Sequence, residues 1–157
     1  MYPLKEKVSS YLKINDAKFG SRREAGKRLH AGCDLYCPEG TLVYAIGDGV
    51  VWEVSKTFYA GTGAISIIHN DRIVRYCEIT PTKELKAGMK VGEGCILGTV
   101  KRCQGVKQPM LHIEMYTDPK RRDSLTDLNR LPFKRRNDVF DPTKWLESLE
   151  VKNVEAD

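Results

Sequence analysis

The 157-residue chain fits one domain with a substantial buried core, and its apolar fraction of 41% is ordinary for a globular protein. No apolar run approaches the roughly 18–20 residues that cross a bilayer, and residues 1–13 lack the apolar stretch and cleavage site of a signal peptide, so we expect neither feature in this sequence. The net charge of +5 permits a nucleic-acid binder, but no aromatic-basic recognition motif accompanies the charge, and we expect no nucleic-acid partner.

The elements divide the chain into three parts. Residues 1–18 form a short, weakly amphipathic N-terminal extension, and residues 20–28 read as a polar loop. From Leu35 the chain changes to short β-type runs separated by turn residues, which predicts a mainly β fold with a small antiparallel sheet or sandwich. We place this β domain at residues 19–118. The predicted strands cover Leu42–Ile46, Val50–Val54, Ala64–His69, Ile73–Ile79, Cys95–Val100 and Leu111–Tyr116.

Two local signals sharpen this prediction. Asn70-Asp71 between two alternating runs predicts a tight hairpin. Residues 119–157 form a basic C-terminal extension, in which Asp141-Pro142 predicts the start of a short helix that runs through Trp145 and Leu146.

The basic residues fall into two clusters. They permit two interpretations besides nucleic-acid binding: a solvated basic surface, which we favour, or a surface that attracts an anionic polymer such as bacterial cell wall. The clusters are Arg22, Arg23, Lys27 and Arg28 early in the chain, and Lys120, Arg121, Arg122, Lys134, Arg135 and Arg136 late in it.

Five cysteines are present without a C-x-x-C pair, so neither a zinc knuckle nor a thioredoxin-like motif is indicated. The odd number permits a reduced compartment, or disulfide pairing with a leftover thiol. We favour buried free thiols that act as small hydrophobic side chains.

The three histidines are candidates for metal binding. His30 stands four residues before Asp34, and the two could share one ion only if the chain bends between them, which Gly32 would permit. On the predicted last strand, alternation places His112 and Glu114 on one face and apolar residues on the other. His69 ends a run before the hairpin and reads as a structural histidine. By themselves His30, Asp34 and His112 are weak evidence for a metal.

A series of motifs across residues 19–116 resembles the lysostaphin-type zinc metallopeptidases, in that family's order and spacing. The motifs are Phe19-Gly20-Ser21-Arg22, His30-x-Gly32-x-Asp34, Gly40-Thr41-Leu42-Val43-Tyr44-Ala45, Gly47-Asp48-Gly49-Val50-Val51, the run 85–94 (LKAGMKVGEG) and Leu111-His112-Ile113-Glu114.

The resemblance implies a small antiparallel β domain with a groove over one Zn²⁺, held by His30, Asp34 and His112. Members of the family typically hydrolyse peptide bonds in the cross-bridges or stem peptides of bacterial peptidoglycan. Three protein ligands leave the fourth zinc position to a water whose pKa falls towards about 7. A peptidoglycan partner implies a target in the cell envelope or outside the cell.

The sequence departs from the resemblance at two catalytic positions. The family usually closes with His-x-His, and here Met110 stands first; it also has Tyr-x-His on an inner strand, where this chain has Tyr76-Cys77-Glu78. One hypothesis makes Glu78 the replacement base and Tyr76 an orienting group on the same strand face. The alternative is a catalytically weak or inactive zinc-binding module that binds cell-wall peptides or has a structural role. Arg22 is a candidate for shaping the substrate groove.

Overall fold

A computed structural model of the protein describes residues 1–154. Within this range the strands dominate, and the α-helices are two short segments near its ends. The helices are α1 (Ser10–Lys13) and α2 (Thr143–Ser148). The strands are β1 (Arg22–Arg23), β2 (Arg28–Leu29), β3 (Cys33–Tyr36), β4 (Leu42–Tyr44), β5 (Gly49–Tyr59), β6 (Thr62–Ile68), β7 (Ile73–Pro81), β8 (Lys90–Val91), β9 (Ile96–Val100), β10 (Met110–Tyr116) and β11 (Val139–Phe140).

Among the described residues, nine strands form one antiparallel sheet. Its main path runs β11-β10-β7-β6-β5-β8, while β3 pairs with β10, and β9 pairs with both β7 and β4. The remaining strands, β1 and β2, pair with each other as a small hairpin. The mainly β, antiparallel fold predicted from the sequence is confirmed.

The central strands carry different chemistry on their two faces. Leu111, Ile113 and Met115 of β10 enter the main hydrophobic core, together with Val74 and Tyr76 of β7. The opposite face of β10 presents Met110, His112, Glu114 and Tyr116, as alternation predicts. We call this opposite face, with the paired residues of β3 and β7, the polar face.

Residues on both sides of the β domain pack onto it. Tyr2, Leu4 and Tyr11 from the N-terminal residues and Leu146 of α2 are buried in the main core. Residues 119–140 instead cross the polar face, where Leu125 forms a second small cluster with Ile73 and Tyr116. The boundaries at residues 18 and 119 stay predictions, but both flanking parts contribute to the packing of the β domain.

Several local predictions are settled by the structure. The hairpin at Asn70-Asp71 joins β6 to β7, and α2 begins immediately after Asp141-Pro142. The expected loop at residues 20–28 instead contains the β1–β2 hairpin, because Ala25 and Gly26 adopt positive φ angles of 54° and 85° that turn the chain back on itself.

The basic residues are not all solvated. Arg136 is only 2% exposed and forms ion pairs with Asp138 and Asp123. Arg135 also packs inside the domain, against Glu114. The solvated-surface interpretation is therefore wrong for these two arginines, because each has a carboxylate partner that compensates its burial.

Other expectations concern the membrane and the thiols. Residues 1–154 contain no helix with the length and apolar character to span a membrane. All five cysteines lie in this range; the structure leaves each as a free thiol, with four buried and Cys95 partly exposed.

Candidate metal centre

The pairing of β3 with β10 positions two of the predicted ligands. Asp34 lies directly opposite His112 in the register, and both side chains point to the polar face. Asp34 Oδ1 is 2.7 Å from His112 Nδ1. Each of the two residues is 6% exposed, so the sheet and its covering segments shield this contact from water.

His30 completes the group from the segment that follows β2. Its Nε2 atom is 3.2 Å from Asp34 Oδ1 and 3.1 Å from His112 Nδ1. The other ring nitrogen, Nδ1, lies 2.8 Å from the carbonyl oxygen of Lys18 and can donate to it. That hydrogen bond favours the tautomer in which the Nε2 lone pair faces Asp34 and His112.

The donor set fits zinc. Two imidazole nitrogens and one carboxylate oxygen are ligands that zinc prefers at about 2.0–2.2 Å, and this bond length in a tetrahedron separates ligand atoms by about 3.4 Å. The observed separations of 2.7, 3.1 and 3.2 Å are a few tenths of an ångström shorter. Small side-chain shifts would therefore place all three atoms around one ion, with the fourth position open.

Gly32 has a different role from the one expected. Its φ is not among the positive values, so it does not supply a left-handed bend. A Cβ at this position would lie 2.2 Å from the carbonyl oxygen of Ile113 and 2.8 Å from Cε1 of His112. Glycine is required here because the chain between His30 and Asp34 passes so close to β10.

The electrostatics of the group favour an ionised Asp34. Burial alone would raise its pKa, but hydrogen bonds with His112 and His30 outweigh burial and lower the pKa to about 2. Burial lowers the pKa of His30, which favours its neutral, metal-binding form. Burial lowers the pKa of His112, but its hydrogen bonds with Asp34 and Glu114 outweigh burial and raise the pKa to about 10, so this imidazole must release a proton before it can bind a cation.

A second carboxylate lies behind His112. Glu114 is fully buried, and its Oε1 is 3.0 Å from His112 Nε2. Cys77, Glu114 and His112 also have the spacing of a metal group. Arg75 and Arg135 already compensate Glu114, however, and burial raises the pKa of the Cys77 thiol well above its usual range. The positive charge of these arginines opposes a second cation at this place.

Glu78 lies at a β-bulge beside the metal group. The register of β6 with β7 shifts between Gly63 and Ala64, and Glu78 has a φ of 63°. Burial raises its pKa to about 6; His112 lowers the pKa, while Asp34 raises it. Its carboxyl group therefore lies within the field of the ligands, and it also contacts the buried thiol of Cys103.

The structure does not bring Tyr76 to the ligands. Its hydroxyl accepts a hydrogen bond from the Ile46 backbone nitrogen at 3.0 Å and lies 3.5 Å from His69 Nε2, inside the core. The expectation that Tyr76 and Glu78 share a strand face is wrong, because the bulge at Glu78 interrupts the alternation. His69, whose Nδ1 lies 2.8 Å from the Asp48 carbonyl oxygen, has the expected structural environment.

Arg22 lies next to the group without contacting it. It is exposed and lines a surface cavity of about 410 Å³ together with Lys18, whose carbonyl holds His30. The neighbouring Arg23 reaches further, with its Nη2 atom 3.8 Å from Asp34 Oδ2. Sequence reasoning did not single out Arg23, because two adjacent arginines in a loop cannot be distinguished before the β1–β2 hairpin is known.

Tyr36 is a second candidate site residue that was not predicted from the sequence. It stands two residues after Asp34 on the same strand, and burial together with the negative charge of Asp34 raises the pKa of its phenol. Tyr36 is partly exposed, and the charge of Asp34 acts on its phenol. The alternation Asp34-x-Tyr36 was the available signal, once Asp34 is placed on a strand.

Comparison with known proteins identifies the family of the chain. The sequence profile described as Peptidase family M23 matches residues 28–124, a range that contains His30, Asp34 and His112. The chain is 35% identical over 86 residues to "Peptidoglycan DD-endopeptidase ShyA" of Vibrio cholerae, covering 55% of this chain and 20% of that protein. It is 32% identical over 90 residues to "Glycyl-glycine endopeptidase ALE-1" of Staphylococcus capitis, covering 57% and 25% respectively. The chain thus spans a fifth to a quarter of the length of these relatives.

Solved structures agree on the fold. The catalytic domain of lysostaphin from Staphylococcus simulans superposes with a TM-score of 0.61 at 24% identity, over 83% of this chain and 89% of that one. A zinc containing peptidase from Vibrio cholerae superposes with a TM-score of 0.56 at 25% identity, over 78% and 40%. The family profile spans more than half of the chain and contains the three clustered ligand residues. The chain therefore belongs to peptidase family M23.

Proposed function

We propose that the protein is a zinc-dependent endopeptidase that hydrolyses peptide bonds of bacterial peptidoglycan. The observation that carries this proposal is the convergence of His30 Nε2, Asp34 Oδ1 and His112 Nδ1 within 3.2 Å of one another in a buried group. The relatives named as peptidoglycan and glycyl-glycine endopeptidases support the substrate class. A peptidoglycan substrate assigns the target of the protein to the cell envelope.

The three ligand residues and two supporting residues have distinct roles in the proposed site. His30, Asp34 and His112 would hold one Zn²⁺ per chain, and Lys18 and Glu114 fix the two imidazoles by accepting from their second nitrogens. When bound, zinc would supply Lewis-acid activation of a water and of the scissile carbonyl.

The chain's own base is Glu78. With a pKa of about 6, its carboxylate is mostly ionised at neutral pH and can take the proton of the attacking water. The bulge takes this side chain out of the regular strand alternation, and its carboxyl group interacts electrostatically with His112 and Asp34. Met110, on the same face as His112, has a thioether that cannot serve as a base. Glu78 therefore carries the proton transfer that the resemblance assigns to histidines.

Tyr36 and Arg23 supply hydrogen-bond donors near Asp34. The Tyr36 phenol is protonated at neutral pH, as phenols ordinarily are, and burial raises its pKa further, so it can donate to the oxyanion of a tetrahedral intermediate. Arg23 would attract the carboxylates of stem peptides to the groove, and Arg22 would extend this positive surface.

A second candidate function is a zinc-binding module without turnover. Met110 and the contact of Glu78 with Cys103 favour it, because that thiol competes for the carboxylate that the proposed base needs free. Such a module would bind cell-wall peptides through the same groove.

Zinc analysis combined with muropeptide digestion separates the two functions. We expect one zinc per chain and cleavage by the wild type, with cleavage strongly reduced in Glu78→Gln and unchanged in the control Glu84→Gln, which alters an exposed carboxylate bonded to Thr82. Stoichiometric zinc without cleavage of peptidoglycan from any wall type would favour the binding module. Full activity of Glu78→Gln would remove Glu78 as the base.

A further inference from the structure

Glu114 is the most heavily bonded carboxylate near the proposed metal centre. It is fully buried, and each of its oxygens has two partners. Oε1 accepts from Arg135 at 2.8 Å and lies 3.0 Å from His112 Nε2. Oε2 accepts from the Tyr116 hydroxyl at 2.6 Å and lies 3.5 Å from Arg75 Nη1. A carboxylate held on both oxygens cannot rotate without breaking several hydrogen bonds.

This rigidity is transmitted to His112. Because Glu114 Oε1 accepts from Nε2, the imidazole is held with Nδ1 towards Asp34 Oδ1 and His30 Nε2. Rotation of the ring would lose the Glu114 bond and turn Nδ1 away from the other two donors. The position of Glu114 thus sets the position of the third ligand atom.

Arg135 comes from outside the part of the chain that matches the family profile, which ends at residue 124. Residues 119–140 cross the polar face, and a β-bridge between Thr126 and Arg135 folds this segment back on itself before β11 pairs with β10. Arg135 approaches Glu114 Oε1 with both Nε and Nη2 at 2.8 Å. Its guanidinium also lies 6.0 Å from the ring centre of Phe58, at the end of β5.

We propose that Arg135 is a positioning residue of the metal centre, which acts on His112 through Glu114. This inference rests on the proposed zinc site and deepens it: the segment after the family domain completes the site. Arg75 supports the same carboxylate from β7, but its Nη1 atom is 3.5 Å from Oε2 and is bonded more closely to Thr126 Oγ1, at 2.9 Å. Arg135 is therefore the closer and more directional of the two arginines.

The test measures zinc affinity by competition with a chromogenic chelator, alongside thermal unfolding of the zinc-free protein. We expect Arg135→Gln to weaken zinc binding by roughly 10–100-fold, the range usual for loss of a partner that orients a metal ligand. Arg135→Lys, which retains the charge but not the forked donors, should fall between Arg135→Gln and the wild type.

The matched control is Arg136→Gln. This neighbouring arginine is more deeply buried than Arg135, and it is bonded to Asp138 and to backbone carbonyls of residues 118–123. We expect it to lower the unfolding temperature while it leaves the zinc affinity of the folded protein within about threefold of the wild type. An equal loss of affinity in Arg136→Gln and Arg135→Gln would contradict the proposal, because the effect would then be general destabilisation.

A double-mutant cycle tests the route through Glu114. In a Glu114→Gln background, Arg135→Gln should cause little further loss of zinc affinity, since the group it acts on has lost its charge. An undiminished loss in that background, or an unchanged affinity of the single variant, would overturn the inference. A wild type that binds no zinc would instead refute the metal centre itself, so the two failures are distinguishable.

Discussion

Asp34 and His112 face each other across the β3–β10 pair, with 2.7 Å between Oδ1 of the first and Nδ1 of the second. Their contact is a consequence of strand register. A shift of one residue in either strand would turn one of the two side chains to the hydrophobic face. The proposed metal centre is therefore only as stable as the pairing that aligns these strands.

The variant Asp34→Asn tests the anionic ligand without changing its shape. The neutral amide removes the charge that balances the cation, so we expect zinc affinity to fall by more than the roughly 10–100-fold typical of an outer partner. Zinc should then no longer raise the unfolding temperature at concentrations that stabilise the wild type. Asp138→Asn, which alters the partner of Arg136, is the control and should retain full zinc affinity. Unchanged zinc binding by Asp34→Asn would remove Asp34 from the ligand set.

Gly32→Ala tests the close approach of the chain to β10. The added Cβ would lie 2.2 Å from the Ile113 carbonyl oxygen, so the strands must separate, and we expect a loss of about 1–3 kcal/mol in the free energy of unfolding. Zinc affinity should fall too, because the same Cβ would press on the ring of His112. In the control Gly47→Ala the nearest atom is His69 Nδ1 at 3.8 Å, and stability should change little. Chemical denaturation of both variants provides the measurement.

Much of this architecture could be predicted from the sequence. Alternation on β10 correctly separates His112 from its apolar neighbours, and the turn residues correctly mark the β6–β7 hairpin. These features are local, since they depend on the period of a strand and the chemistry of a turn. The clustering of His30 with His112 is not local. It joins residues 82 positions apart, and the sequence indicated it only through the family resemblance.

Two predictions from the sequence were wrong, and each error has a physical cause. The bulge at Glu78 interrupts the alternation from which Tyr76 and Glu78 were predicted to share a strand face. The residue type gave no signal of this bulge, because a positive φ is expected of glycine and position 78 is a glutamate. Arg135 appeared as one of several late basic residues. Its burial depends on Glu114, 21 residues earlier on another strand, which only the folded chain brings into contact.

Two tyrosine variants distinguish a core role from a site role. Tyr76→Phe removes the acceptor of the buried Ile46 N–H, and we expect a loss of about 1–3 kcal/mol in the free energy of unfolding with unchanged turnover per folded molecule. Tyr36→Phe removes the phenol beside Asp34 and should lower kcat with little effect on stability, because Tyr36 is partly exposed. Steady-state kinetics on a soluble muropeptide, paired with thermal unfolding, gives both quantities. Reduced turnover in a folded Tyr76→Phe variant would restore the orienting role that the structure speaks against.

The raised pKa of Glu78 predicts opposite pH effects on activity and on stability. A base must be ionised, so kcat/KM should rise with pH through an acid limb near pH 6, and Glu78→Gln should lose most of the activity on the upper side of that limb. For stability, burial raises the pKa from 4.5 to about 6 in the folded state, so ionisation disfavours folding. This cost is absent below about pH 4.5 and complete above about pH 6.

Glu78→Gln mimics the protonated carboxyl group, so it should unfold at a higher temperature than the wild type at pH 8 and at nearly the same temperature at pH 4.5. The measurement uses protein treated with a chelator, so that zinc does not contribute to the difference. Glu84→Gln serves as the comparison, because hydrogen bonding to Thr82 lowers the pKa of Glu84 and this variant should gain no stability at pH 8. An unfolding temperature of Glu78→Gln that matches the wild type at both pH values would mean that Glu78 is solvated like an ordinary surface carboxylate. A solvated Glu78 would interact only weakly with the metal centre, and this result would contradict its proposed role as the base.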